Sequence, residues 1–270
     1  MIRKGQPQWK VEQRRLKEGR GQGHGVDYQP YIKTYDFSSK GVRTRSLGWK
    51  TGRHHHFLSR DEYHYFLTLE FSDRVVNIRE QYPLLPKERT IEIAKELNVS
   101  HPSDDNGDPV VMTTDFNITV LGEHRPEDLQ DVIRTLKPTS QLTQNMLEKF
   151  EIERKYFEEK GIDWGIVLDE QKPPNLIYNL DWLYDGYHLS AKPHLKQENV
   201  NFIAPYLFNA INSNEDSFIN ICLSLDSEFG FIPGSCLFIV KHMLANRIWV
   251  TDLYIDKITN QSNLQLQLVE

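Results

Sequence analysis

The sequence predicts an α/β fold, a mixed sheet flanked by helices over residues 1–185, followed by a smaller and mostly helical unit over 186–270. Three observations carry that expectation. Segments with helical spacing of apolar residues succeed segments that alternate with period two, in the order helix, strand, helix, strand, strand, helix, strand. The run Val110–Val120 alternates in full, with Met112, Phe116 and Ile118 on one face and Thr113, Asp115 and Asn117 on the other. A turn-rich stretch from about Asp185 to Pro193 then separates a region with a different pattern.

Taken in order, Gln8–Glu18 reads as a helix stopped by Gly19, and Gly19, Gly21, Gly23 and Gly25 alternate through the loop that follows. A phosphate cradle should follow a strand and open a helix, which this loop does not. Close backbone approach to DNA or to the core is expected instead. Ser59 and Glu62 have the spacing of a capping box, and Tyr63, Phe66, Leu67 and Leu69 supply the apolar stripe of a helix to about Phe71. Val75–Gln81 is strand-like, Pro83–Pro86 a turn, Thr90–Leu97 a short helix and Ser100–Asp108 a polar loop. After the Val110–Val120 strand comes a second, Asp131–Lys137, in which Thr135 and Lys137 share a face. Leu142–Lys160 forms a charged helix with Met146, Phe150 and Phe157 inward and Gly161 as its stop, and Trp164–Leu168 is a short strand. Pro173 and Pro174 open a helix through Tyr184. Helical patterns near 201–211, 217–225 and 235–245, with a β-like tail at 247–255, suggest a winged-helix-like C-terminal domain.

Composition narrows the function. Cys222 and Cys236 are too few and too far apart for a zinc knuckle or a disulfide framework, so they read as core thiols in a reducing, cytoplasmic compartment. No apolar run approaches the roughly 20 residues that span a bilayer, and residues 1–10 lack the apolar stretch of a signal peptide. The net charge is −6, but residues 1–60 hold fourteen Lys and Arg against four Asp and Glu, a local +10. A basic block with Trp9, Tyr28, Tyr31, Tyr35 and Trp49 among its charges suits a duplex backbone, with Arg20, Lys50 and Arg53 as phosphate contacts. A solvated face, or a complement to the acidic remainder, is the other reading.

Phosphodiester hydrolysis needs an activated water and stabilisation of charge on the leaving oxygen, which carboxylates holding Mg²⁺ provide. A lysine on the same sheet face can position that water or neutralise the phosphate. Asp115, followed by Thr135, Leu136 and Lys137 on a pairing strand, gives this arrangement, the outline of the PD-(D/E)xK nuclease motif. Each residue also has an ordinary role: Glu62 as the acid of a capping box, Asp115 on a solvated strand face, Lys137 as surface charge.

The sequence further resembles the TnsA family, the endonuclease subunits of heteromeric transposases. The resemblance lies in LKEGRGQGHGVDYQP (16–30), KTGRHHHFLS (50–59), the helix 61–71, IREQYPLLP (78–86), MTTDF (112–116), LKP (136–138) and LEKFEIERKYFEEKGIDW (147–164). It covers roughly residues 10–185 and implies a restriction-endonuclease-like fold. Carried over residue by residue, the family's helical glutamate falls on Glu62, its strand aspartate on Asp115 and its lysine on Lys137. Thr135 stands where many such nucleases carry Gln or an acid, and Thr114 replaces the motif's proline. The third protein ligand to Mg²⁺, with Mn²⁺ as a substitute, is therefore assigned to the Leu136 main-chain carbonyl beside Glu62 and Asp115.

The resemblance implies an enzyme that cuts the 5′ ends of a mobile element in double-stranded DNA. It would act with a separate TnsB-like transposase cutting the 3′ ends and an ATP-dependent, TnsC-like regulator docking on 186–270. A restriction-type or junction-resolving nuclease acting alone, and a non-catalytic assembly subunit, are the alternatives. His54, His55 and His56 look like a metal cluster, but consecutive residues point in different directions, so a basic DNA-facing edge is expected. Glu148 and Glu151 read as a solvated helix face, and Trp182 and Tyr184 as core or interface aromatics.

Overall fold

A computed structural model describes residues 7–36, 43–122, 125, 127–213 and 216–269. Arg3, Lys4 and Lys40 of the basic segment lie outside the described residues. The chain divides into two compact units, Met1–Lys172 and Pro173–Glu270.

The first unit opens with α1 (Gln8–Lys17). Its glycine loop lies against the protein itself. A Cβ at Gly21 would sit 2.3 Å from the Pro83 ring, and one at Gly23 would sit 2.5 Å from the Asp27 carbonyl oxygen. Both glycines also have positive φ, so the loop needs glycine twice over to approach the core closely. A hairpin that the sequence pattern did not signal follows, β1 (Thr44–Leu47) against β2 (His54–Phe57). Its polar residues obscure any alternation. Helix α2 (Arg60–Phe71) begins at Ser59, whose hydroxyl accepts the Glu62 N–H at 3.1 Å.

Then come β3 (Val75–Pro83), α3 (Lys87–Glu96), β4 (Thr113–Leu121), β5 (Leu129–Lys137), α4 (Gln144–Glu158) and β6 (Asp163–Leu168). The sheet order is β3-β4-β5-β6, antiparallel except for the parallel β5–β6 pair that α4 bridges. This is the expected mixed sheet with helices around it. Phe116 packs against the Phe57 ring of β2, centroids 6.3 Å apart, and Phe57 lies 4.6 Å from Phe66 of α2. Ile133 joins the cluster of Leu84, Ile93, Met112, Ile152, Tyr156 and Phe157 that α3 and α4 close. Ile133 pairs with Asn117, one residue along from Phe116, so the pleat sends the two cores to opposite faces.

In the second unit α5 (Pro174–Leu183), α6 (Gln197–Ser213), α7 (Phe218–Glu228) and α8 (Ser235–Ala245) surround a core that includes most of α8. The expected strand at 247–255 shrinks to β7 (Trp249–Val250), paired with β8 (Gln267–Leu268). The rest of that tail is held by side chains. Asn179 donates to the carbonyls of Leu253 and Asp256 at 2.9 and 2.8 Å and accepts from the Ile258 N–H at 2.7 Å. Those bonds place α5 in the second unit, which moves the boundary from the expected 185/186 to 172/173. Cys222 and Cys236 are buried free thiols, as their scarcity suggested, and burial pushes the Cys222 thiol up to about 12. Among the described residues no helix is long and apolar enough to cross a membrane.

Candidate active site

The candidate site lies where two strands part. The β4–β5 ladder runs from Leu121↔Leu129 to Phe116↔Arg134 and ends there, while β4 stays paired with β3 as far as Thr113. In the opening, the Leu136 N–H loses a ladder partner and donates to Asp115 Oδ2 at 2.7 Å. The N–H and C=O of a strand residue point the same way, so the Leu136 carbonyl is directed into the same opening. Asp115, Thr135, Leu136, Lys137, Met146, Lys149, Phe150 and Glu153 line the cleft, of about 290 Å³.

Glu62 enters from the first turn of α2 and is only 7% exposed. Its carboxylate accepts from the Leu58 N–H at 3.0 Å, the Ser59 hydroxyl at 2.9 Å and the Gln81 amide at 3.3 Å. Its capping role therefore leaves the carboxylate in place for the expected role at the site. Burial, reinforced by the nearby Asp115 charge, pushes the Glu62 carboxyl up to about 8 despite those donors. Burial likewise raises Asp115 to about 6, against the Leu136 N–H and the positive Lys137, which favour its charge. The Lys137 ammonium, half-buried at the end of β5, makes no ion pair or hydrogen bond among the described residues.

Two crowded carboxylates that resist ionisation are a donor set that a cation would suit. Among the described residues no three His, Cys, Asp or Glu side chains converge as a ready metal cage. Two carboxylates and one main-chain oxygen suit a hard ion such as Mg²⁺, which keeps several waters and takes substrate phosphate oxygens.

The comparisons with known proteins identify the family. Residues 72–169 match the family model described as TnsA-like endonuclease N terminal, and residues 173–253 match TnsA endonuclease C terminal. The chain is 35% identical over 243 residues to the Transposon Tn7 transposition protein TnsA of Escherichia coli, covering 89% of this chain and 85% of that protein. The chain belongs to the TnsA endonuclease family.

It is thus a DNA endonuclease of transposition. Asp115, Leu136 and Lys137 fall inside the TnsA N-terminal match, whereas Glu62 lies upstream of it. The two TnsA matches meet close to the 172/173 boundary between the units.

The residues expected to hold DNA lie elsewhere. The Arg20 guanidinium is 3% exposed and bonds Asp36 at 2.5 Å and Glu18 at 2.6 Å. Arg53 is 7% exposed and grips both oxygens of the fully buried Glu80, at 2.9 and 2.6 Å. Both are structural ion pairs, and neither guanidinium is available to a phosphate. The Lys50 charge sits near Glu70, whose carboxylate also accepts the Lys50 N–H at 2.9 Å. His55 is buried between Thr51 and Glu80, at 2.7 and 2.8 Å, and burial brings His56 down to about 4. Only His54 of the three histidines is exposed, so the expected basic histidine edge is a buried network.

Sequence reasoning passed over Glu153. Its Oε1 accepts from the Thr135 hydroxyl and, at 2.9 Å, from the Trp164 indole N–H, and Thr135 in turn bonds Thr114 at 3.0 Å. Thr135 thus fixes the floor of the cleft through α4. The signal was present: Phe150, Glu153 and Phe157 share the inward stripe of α4, where a carboxylate needs partners. Glu151 pairs with Arg154 on the outer face, as expected of a solvated residue.

Proposed function

We propose that this endonuclease is Mg²⁺-dependent and cuts the 5′ ends of a transposon during cut-and-paste transposition in the cytoplasm. It works with a separate transposase that cuts the 3′ ends and an ATP-dependent regulator that docks on the C-terminal unit. The observation that carries the chemistry is the convergence of Glu62, Asp115 and the free Lys137 where β4 and β5 part. Likeness to a transposition protein supports the setting.

Glu62, Asp115 and the Leu136 carbonyl would hold the cation. Bound there, it neutralises phosphate charge and lowers the pKa of a water. Lys137, free of competing partners, orients the attacking water or meets the scissile phosphate. Asp115 is held by the Leu136 N–H, so the ligand and the strand that carries Lys137 keep a fixed spacing. Lys149, exposed on the cleft wall, adds positive charge for the adjoining backbone.

The test is cleavage of a plasmid carrying the element's ends, with and without the partner proteins. We expect cutting only with Mg²⁺ or Mn²⁺ and with partners present. Strong cutting by the chain alone would favour a restriction-type nuclease, and no metal-dependent cutting under any condition would leave an assembly role.

A further inference from the structure

Glu62 and Asp115 are carried by α2 and β4, and the residue that joins them is Gln81 of β3. The register pairs Glu80 with Phe116 and Tyr82 with Thr114, which sets Gln81 across from Asp115. Its Nε2 donates to Glu62 Oε2 at 3.3 Å, its Oε1 accepts from the Thr113 hydroxyl at 3.4 Å, and its carbonyl accepts the Tyr31 N–H at 3.2 Å. The residue is 3% exposed.

Its backbone is unusual. Gln81 has φ of 49°, a left-handed conformation within a strand, which glycine or asparagine adopts more readily. Arg79, two residues earlier, keeps the pleat and crosses the sheet to Asn117 and Asp131, at 2.8 and 2.6 Å. On an unbroken pleat Gln81 would share that face. The left-handed backbone lets its amide reach α2 instead, so a strained residue ends on a carboxylate of the site.

We propose that Gln81 is a positioning residue that holds the Glu62 carboxylate at a fixed place relative to Asp115 and so sets the geometry of the cation site. The inference rests on the reading of Glu62 and Asp115 as cation ligands. Groups that orient ligands in this way change metal affinity or activity by about 10–100-fold when removed.

The experiment compares wild type, Gln81→Met, Glu62→Gln and the double variant. Mn²⁺ affinity is read from the free-ion electron paramagnetic resonance signal, duplex affinity from metal-free anisotropy, and folding from thermal denaturation. Met keeps the length of the side chain without its amide. We expect Gln81→Met to weaken Mn²⁺ by about 10–100-fold with duplex affinity kept, and to weaken it no further in the Glu62→Gln background. Wild-type Mn²⁺ affinity in Gln81→Met, or equal weakening in both backgrounds, overturns the positioning role. Wild-type affinity in Glu62→Gln overturns the cation-ligand reading beneath it. If Gln81→Met does not fold, Gln81→Gly, which suits the left-handed backbone, carries the same comparison.

Discussion

Lys137 makes no hydrogen bond or ion pair among the described residues, unlike Glu62 and Asp115, and its loss should be read in the rate rather than in the fold. Lys137→Ala should lower single-turnover cleavage by about 10²–10⁴-fold with an unchanged melting temperature; equal rates for the two proteins would remove it from the chemistry. Glu153 makes the opposite prediction. Burial raises its carboxyl to about 7, and the Thr135 hydroxyl and Trp164 indole N–H meet the same oxygen, which a glutamine oxygen can replace. Glu153→Gln should therefore melt close to wild type, whereas Glu153→Ala leaves the Trp164 indole N–H without its acceptor, at about 1–3 kcal/mol, while Thr135 keeps Thr114. Urea denaturation of the two variants checks this, and similar losses in both would contradict it. Asp115 and Lys137 could be picked out as candidates because strand alternation assigns faces. Gln81 was not, since nothing in a sequence marks a left-handed glutamine within a strand.

The elements around the site carry two duties each. Ser59 starts α2 and also donates to Glu62, so a cap and the proposed ligand share one hydroxyl. Ser59→Ala should cost about 0.5–2 kcal/mol of stability and reduce cleavage as well; a purely structural serine would lower the melting temperature and leave the rate of the folded protein unchanged. The β1–β2 hairpin is tied to β3 through Arg53, His55 and Glu80, all buried. Breaking that pair by Arg53→Ala should cost about 3–5 kcal/mol and leave the salt dependence of duplex binding unchanged. A reduced salt slope in a stably folded Arg53→Ala would restore it as a phosphate contact. Helices with a clear apolar stripe and the alternating β4 could be read from sequence. The arginines could not, because the same side chain serves a duplex or a buried carboxylate, and only the partner's place in the fold decides.

Across the whole chain, the division of charge between a basic first segment and an acidic remainder was visible, but its use was not. Part of the positive charge is consumed inside the first unit, by Asp36 and Glu80. The unit boundary was misplaced because the polar stretch after α5 looks more like a linker than the paired prolines before it. The carboxylates of the site leave a signature in global stability. Glu62 and Asp115 are raised to about 8 and about 6 from ordinary values of 4.5 and 3.8, so the folded protein binds protons that the unfolded chain gives up. Their contribution is full below the unfolded values and is lost as pH rises through 6 and 8. Metal-free protein should melt lower at pH 8 than at pH 6 by more in wild type than in Asp115→Asn, and Mg²⁺ should raise the wild-type value alone. The most direct measurement is strand-resolved cleavage of DNA carrying the element's ends, with partners and Mg²⁺, comparing wild type with Asp115→Ala and Lys137→Ala. We expect both variants to lose the 5′ cuts and keep the 3′ cuts; unchanged 5′ cutting would show that the chemistry is done elsewhere.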